Sequence, residues 1–152
     1  MKESNTIAVL GLWHLGLVTA VGLSELGFSV IGFDKDKEKI TKLNSAEATI
    51  FEPKLAEYLK KNIKNKRLIF TSSLADLQKT NIFYLTFDTP LNDKDEVDLS
   101  GIFAIIRKLK NYLPNNALVI VSSQIPLGTT EKIKTIFNTK EKNIEIAYIP
   151  EN

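Results

Sequence analysis

The sequence predicts an α/β domain built on a doubly wound, mostly parallel sheet of about six strands. Three observations lead there. Short apolar runs alternate with helix-compatible segments along the chain. The first run, Thr6-Ile7-Ala8-Val9-Leu10, is nearly all apolar, as a parallel strand covered on both faces should be. Gly11 and Gly16 then occupy the first and last glycine positions of a G-x-G-x-x-G turn, between that strand and a helix.

The remaining elements follow in order. A helical segment runs to Leu26 and closes at Gly27, a good residue for the left-handed position after a helix. A second strand, Ser29 to Phe33, ends at Asp34, which could also cap the helix expected over Lys35 to Asn44. Pro53 stands at or near the first position of a helix over Lys54 to Asn65, and Arg67 to Thr71 forms the third strand. A short helix at Leu74 to Lys79 leads to the fourth strand, Ile82 to Phe87, and to a polar loop, Leu91 to Asp98. Ser100 is expected to cap a helix reaching Leu113, with Ile102, Phe103, Ile105, Ile106 and Leu109 on its buried face. Strand Ala117 to Val121, helix Thr129 to Asn138 and strand Ile144 to Ile149 complete the series. Six strands alternating with helices fit two mononucleotide-binding halves in the order 3-2-1-4-5-6, a Rossmann-like sheet.

Bulk properties narrow the class. The 152 residues suffice for one domain with a sizeable core, and 43% hydrophobic with 25% charged residues is ordinary for a globular protein. A net charge of +2, with lysines interleaved among acids as in Asp34-Lys35-Asp36-Lys37-Glu38-Lys39, argues against a nucleic-acid or membrane partner. Zero cysteines exclude a disulfide framework and a thiolate metal site. No run is long and apolar enough for a membrane span, and Met1-Lys2-Glu3-Ser4-Asn5 lacks the shape of a signal peptide, so a cytoplasmic location is expected. Carboxylate pairs such as Asp36 and Glu38, or Asp93 and Asp95, read as solvated loop charges, and no metal site is expected.

The glycine turn and Asp34 together point to a dinucleotide. In that motif the first glycine makes the turn, the second lets the backbone approach the pyrophosphate, and the third allows close helix–strand packing. Helix N-terminal amides attract the phosphates. Asp34 follows the turn at close to the ~20-residue offset at which an acid meets the ribose hydroxyls of NAD. Lys35, Lys37 and Lys39 could accommodate a 2′-phosphate, but Asp34 would repel it, so NAD is preferred over NADP. The middle glycine is replaced by Trp13, which either packs against a neighbouring surface or forms a platform at the cofactor. His14, the single histidine, either contacts phosphate or merely tiles the helix start, having no acidic partner nearby in sequence. The chain stops just after the sixth strand, at Ile149-Pro150-Glu151-Asn152, and is expected to be one domain (1–152) of something longer.

Beyond the turn, several separated motifs recur in order: GLWHLGLVTA from Gly11, the Asp34 to Ile40 run, LNSAEATIFEP at Leu43 to Pro53, Thr89-Pro90, Asp98-Leu99-Ser100, Ile125 to Thr130, and Pro150-Glu151. In these the chain resembles the N-terminal NAD-binding domain of the UDP-glucose/GDP-mannose dehydrogenase family, from Ile7 to Glu151. Members of that family oxidise the C6 hydroxymethyl of a nucleotide sugar to a carboxylate. They consume two NAD⁺ per sugar and hold an aldehyde-level species on a cysteine. The resemblance implies that Gly11, Leu12, Trp13, His14, Leu15 and Gly16 form the pyrophosphate turn, and that Asp34 binds the adenosine ribose with Lys39 nearby. It implies that Thr89, Pro90 and Leu91 line the cofactor after the fourth strand, and that Ser123 and Gln124 lie near the nicotinamide. Glu151 matches the glutamate of the family's P-E-F-L segment, a catalytic residue at the substrate.

Three positions depart from the family: Trp13 for the middle glycine, Gln124 for a common Thr, and Asn152 for the Phe of P-E-F-L. The nucleophilic cysteine, the catalytic lysine and most substrate contacts of the family belong to the second half of the full protein. With no cysteine, this chain alone should bind cofactor without completing the oxidation. The resemblance further implies a nucleotide-sugar substrate held through that second half, a homodimer for the full-length protein and a monomer for this domain. A different class of function, a non-catalytic nucleotide-binding or assembly module in which Trp13 blocks NAD, is the alternative. A hydroxyacid or 6-phosphogluconate type of dehydrogenase is disfavoured by the Leu43 to Pro53 and Ile125 to Thr130 motifs.

Overall fold

The computed structural model describes residues 6–91, 97–139 and 142–150. Glu151 and Asn152, and positions 92–96 of the expected polar loop, therefore lie outside the described residues. The strands are β1 (Thr6–Leu10), β2 (Ser29–Phe33), β3 (Leu68–Thr71), β4 (Ile82–Leu85), β5 (Leu118–Val121) and β6 (Glu145–Tyr148). The helices are α1 (His14–Glu25), α2 (Lys37–Asn44), α3 (Leu55–Lys64), α4 (Ser100–Leu109) and α5 (Thr129–Phe137), with a 3₁₀ turn at Leu74–Leu77. The sheet runs β3-β2-β1-β4-β5-β6, and all five neighbouring pairs are parallel. That is the order expected from the sequence, and it reverses direction between β1 and β4.

Alternation along the strands sorts the core into two layers. Ile7 and Val9 of β1 face one side, with Val30, Leu68, and Leu17, Val21 and Leu59 from α1 and α3. Ala8 and Leu10 face the other, with Phe83, Leu85, and Ile102, Ile106, Ile133 and Phe137 from α4 and α5. Burying a side chain of this size contributes roughly 1.5–3 kcal/mol, so each layer is a substantial core in its own right.

Several ends differ from expectation for identifiable reasons. Helix α4 stops at Leu109, where the chain tightens into turns in which the Asn111 and Tyr112 N–H groups donate to the Lys108 and Leu109 carbonyls, and Leu113 is still buried just before Pro114. Ser100 does not cap α4: it lies inside the first turn, and Asp98 Oδ1 accepts the Ser100 N–H instead. Likewise α2 is capped by Asp36, which accepts from the N–H groups of Glu38 and Lys39, leaving Asp34 for other work. Pro53 precedes α3, whose cap is Lys54 in a left-handed conformation. Gly27, with φ of +99°, ends α1 as anticipated.

Candidate dinucleotide site

Gly11 leaves β1 with φ of +96°, and its N–H donates to the Phe33 carbonyl of the neighbouring strand. The turn then folds so tightly that a Cβ on Gly16 would lie 1.8 Å from the Gly11 carbonyl oxygen. A Cβ on Gly11 would press on the Phe87 backbone and ring. Thr86, at the end of β4, secures the turn from below by donating its hydroxyl to the carbonyls of Leu10 and Gly11. Only glycine fits at either position, which accounts physically for the spacing seen in the sequence.

Trp13 caps α1 with φ −81° and ψ −153°, an ordinary extended backbone, so the missing glycine is not needed for conformation. Its side chain makes no capping hydrogen bond, and no acid occupies the first turn. The positive end of α1 is therefore open to an anion. The indole is 57% exposed and carries the Lys39 ammonium 5.8 Å from its ring centroid.

Asp34 is the most constrained side chain at the site. Its Oδ2 accepts from the Leu12 N–H of the glycine turn and from Lys39 Nζ at 2.8 Å, and its Oδ1 accepts from the Asp36 N–H. A carboxylate offers about four acceptor positions, so Oδ1 retains room for one further donor such as a ribose hydroxyl. Both partners of the ion pair are largely shielded, at 18% exposure for Lys39 and 12% for Asp34, which strengthens the pair relative to a surface one.

Two cavities open at the carboxyl edge of the sheet, on either side of Trp13. The first, of about 380 Å³, is lined by Gly11, Leu12, Trp13, Asp34, Lys39 and Pro90, joined by Lys35, Phe87, Asp88, Asp98 and the start of α4. Asp98, holding the Ser100 N–H, has its carboxyl below the usual carboxylate range, chiefly because of that backbone hydrogen bond. The second cavity, of about 280 Å³, is lined by Trp13, His14, Leu15, Thr86, Phe87, Asp88, Thr89, Ser122 and Gln124. The first lies over β1 and β2, the second over β4 and β5, as the two mononucleotide halves of such a sheet require. The turn, the open helix terminus and the spare acceptor on Asp34 together fit a dinucleotide.

Three of the expected residues stand apart from both cavities, the first being Gly16, which packs against the Gly11 carbonyl and the Thr86 hydroxyl. Ser123 is buried and donates to the Leu85 carbonyl, and its neighbour Ser122 lines the second cavity instead. Leu91 is 60% exposed and bridges to Val97. The sequence reading also missed Glu52. It pairs with His14 Nε2 from 38 positions away, and its one local signal was an acid inside the apolar stretch before Pro53. Among the described residues, no group of His, Asp and Glu side chains could hold a metal ion.

A parallel sheet with its glycine turn, acid and paired cavities at the strand-order reversal defines a dinucleotide-binding domain. The profile of the UDP-glucose/GDP-mannose dehydrogenase family, NAD binding domain, matches residues 5–152, and the chain belongs to that family. Its cofactor is accordingly NAD. The chain is 41% identical over 127 residues to a UDP-N-acetyl-D-mannosamine dehydrogenase of Pyrococcus horikoshii, covering 84% of this chain and 30% of that protein. It is 31% identical over 146 residues to a UDP-glucose 6-dehydrogenase of Rickettsia typhi, covering 95% and 34% respectively. The solved structure of the Pyrococcus horikoshii UDP-D-ManNAc dehydrogenase superposes with a TM-score of 0.89 at 36% identity, covering 97% of this chain and 36% of that one. The chain thus spans about a third of the length of these relatives. The alternative of a module closed to NAD by Trp13 gains no support, since the indole leaves a cavity open on each side. Among the described residues no helix is long and apolar enough to cross a membrane.

Proposed function

We propose that this chain is the cofactor-binding part of a cytoplasmic nucleotide-sugar 6-dehydrogenase, which oxidises a UDP- or GDP-sugar to the uronic acid with two NAD⁺. The observation that carries the reading is Asp34, tied to the Leu12 N–H of the glycine turn and facing the first cavity with acceptor capacity to spare. In this reading Asp34 accepts the adenosine ribose hydroxyls, and Lys39 balances its charge and fixes its orientation. The amides at the start of α1 receive the pyrophosphate, flanked by Gly11, Leu12, Trp13, His14, Leu15 and Gly16. Pro90 borders the adenosine side, while Thr89 and Gln124 border the nicotinamide side together with Ser122. Bound NAD⁺ supplies the hydride acceptor, at C4 of the nicotinamide, and the chain supplies orientation and electrostatics. Glu151 acts at the sugar in the whole protein, which is a homodimer, whereas this domain by itself is a monomer.

Titration with NAD⁺, followed by calorimetry and by the emission of Trp13, tests the reading. Saturable binding that is weaker for NADP⁺ and lost in Asp34→Ala is expected. Failure of both probes at millimolar NAD⁺ would overturn it.

A further inference from the structure

The second cavity differs from the first in its charges. Lys35 and Lys39 border the first, whereas His14 is the one basic side chain among the residues lining the second, where Asp88 is the acid. His14 is the first residue of α1, so its imidazole stands at the positive end of that helix, beside Thr86, Thr89, Ser122 and Gln124. The ring is 55% exposed, and Glu52, itself 38% exposed, holds it through Nε2. An ion pair this open adds at most about 1 kcal/mol to stability, too little to make fold stabilisation its main effect. It does fix the ring chemically. A carboxylate accepts only, so Nε2 carries the hydrogen given to Glu52, and Nδ1 remains for a second partner.

The segment that brings Glu52 into place is itself well determined. Ala46 and Lys54 sit at its two ends in left-handed conformations, with φ of 60° and 65°. The Ala46 N–H donates to Leu43, and the Leu55 N–H donates to the Glu52 carbonyl. A non-glycine residue in that conformation costs about 1 kcal/mol or more. The sequence holds two of them around the residue that aims His14.

We propose that His14 is a cofactor-contacting residue specific to the nicotinamide half, that its ring carries a hydrogen on each nitrogen there, Nε2–H donating to Glu52 and Nδ1–H to the nicotinamide-side ribosyl phosphate, and that Glu52 is the positioning residue that sets the ring for it. This rests on the NAD reading and adds a division of labour: Asp34 and Lys39 serve the adenosine side, His14 and Glu52 the nicotinamide side. Glu52 acts only through His14.

The test compares ligands that contain different parts of the cofactor. Calorimetric titrations with NAD⁺, ADP-ribose and AMP are run on the whole chain and on His14→Ala, Glu52→Ala and the double variant. Loss of a hydrogen bond to a charged group predicts roughly 10- to 100-fold weaker NAD⁺ and ADP-ribose binding in His14→Ala. AMP, which lacks the nicotinamide-side ribosyl phosphate, should bind within about twofold of the parent. Glu52→Ala should weaken the same two ligands, and the double variant should be no worse than His14→Ala, because coupled residues are not additive. His14→Gln, which keeps a donor, should recover part of the loss. Equal weakening of AMP and NAD⁺ would reveal a merely structural role for the turn and overturn the proposal. Unchanged NAD⁺ binding in His14→Ala, or additive losses in the double variant, would overturn it as well. If the parent chain binds neither NAD⁺ nor AMP, the NAD reading fails first and this proposal with it.

Discussion

Gly16 and Trp13 show how differently two positions of one motif depend on side-chain size. At Gly16 the obstacle to a methyl group is the Gly11 carbonyl, a backbone atom that no rotamer change can move. Gly16→Ala should therefore cost about 3 kcal/mol by overpacking and abolish NAD⁺ binding, as chemical denaturation and calorimetry would measure. A stability change under 0.5 kcal/mol would mean that α1 can shift away from β1. Trp13 presents the opposite case, because its backbone is unstrained and its indole projects outward. Trp13→Gly loses the Lys39 contact, worth roughly 0.5–1 kcal/mol, but glycine is a better helix cap than an uncapping aromatic. The two effects should nearly cancel in thermal melts, with NAD⁺ binding retained by calorimetry; loss of binding would make the indole an essential platform. At this scale, legibility from the sequence followed the range of the interaction. The outer glycines and Asp34 were readable because their work is local to a turn and a strand end. The choice between Ser122 and Ser123 was not, because neighbouring residues at a strand end face opposite ways and the register that decides comes from pairing to β4. Glu52 was hidden because its partner is remote in sequence.

Helices α1 and α3 are tied at their far ends, away from the cavities, by Glu25. Its carboxylate accepts from Lys61 Nζ and from the amide of Asn62, a buried side chain that also donates to the Tyr58 carbonyl. The Lys61 hydrogen bond, then that of Asn62, holds the Glu25 carboxyl below its ordinary value. A carboxyl depressed in the folded state contributes stability above its unfolded pKa, near ~4.3, and loses that contribution as the pH falls through the lower folded value. The parent should therefore lose more stability between pH 7 and pH 3 than Glu25→Gln does, as urea melts at the two pH values would measure. Parallel losses would show that the link is too solvated to matter. The order and type of elements were legible because apolar periodicity survives any register. Their ends were less so, because capping is decided by which of several polar residues wins the amides. Asp98 outcompetes Ser100 at α4, and Asp36 outcompetes Asp34 at α2, since Asp34 is already engaged with Leu12 and Lys39.

The two core layers lie on opposite faces of the sheet, and its two halves, β3-β2-β1 and β4-β5-β6, meet where β1 pairs with β4. The cavities open one over each half, so a ligand that fills both is held simultaneously by β1–β2 and by β4–β5. Such a ligand binds the folded chain and has no counterpart site in the unfolded one, so it stabilises by mass action. At one hundred times its dissociation constant NAD⁺ should add about 2.7 kcal/mol, which for a domain of this size raises the melting temperature by roughly 5–10 °C. The increment should grow with the logarithm of NAD⁺ concentration. AMP, reaching one half only, should give a smaller rise at equal concentration, and NADP⁺ should fall short because its 2′-phosphate meets Asp34, with Asp88 and Asp98 lining the same cavity. Thermal melts over a concentration series of each ligand measure this directly. An NADP⁺ shift equal to that of NAD⁺ would mean that Lys35 and Lys39, not the three carboxylates, set the potential of the first cavity. An AMP shift equal to that of NAD⁺ would mean that only the adenosine half is held, leaving the second cavity without a part in binding.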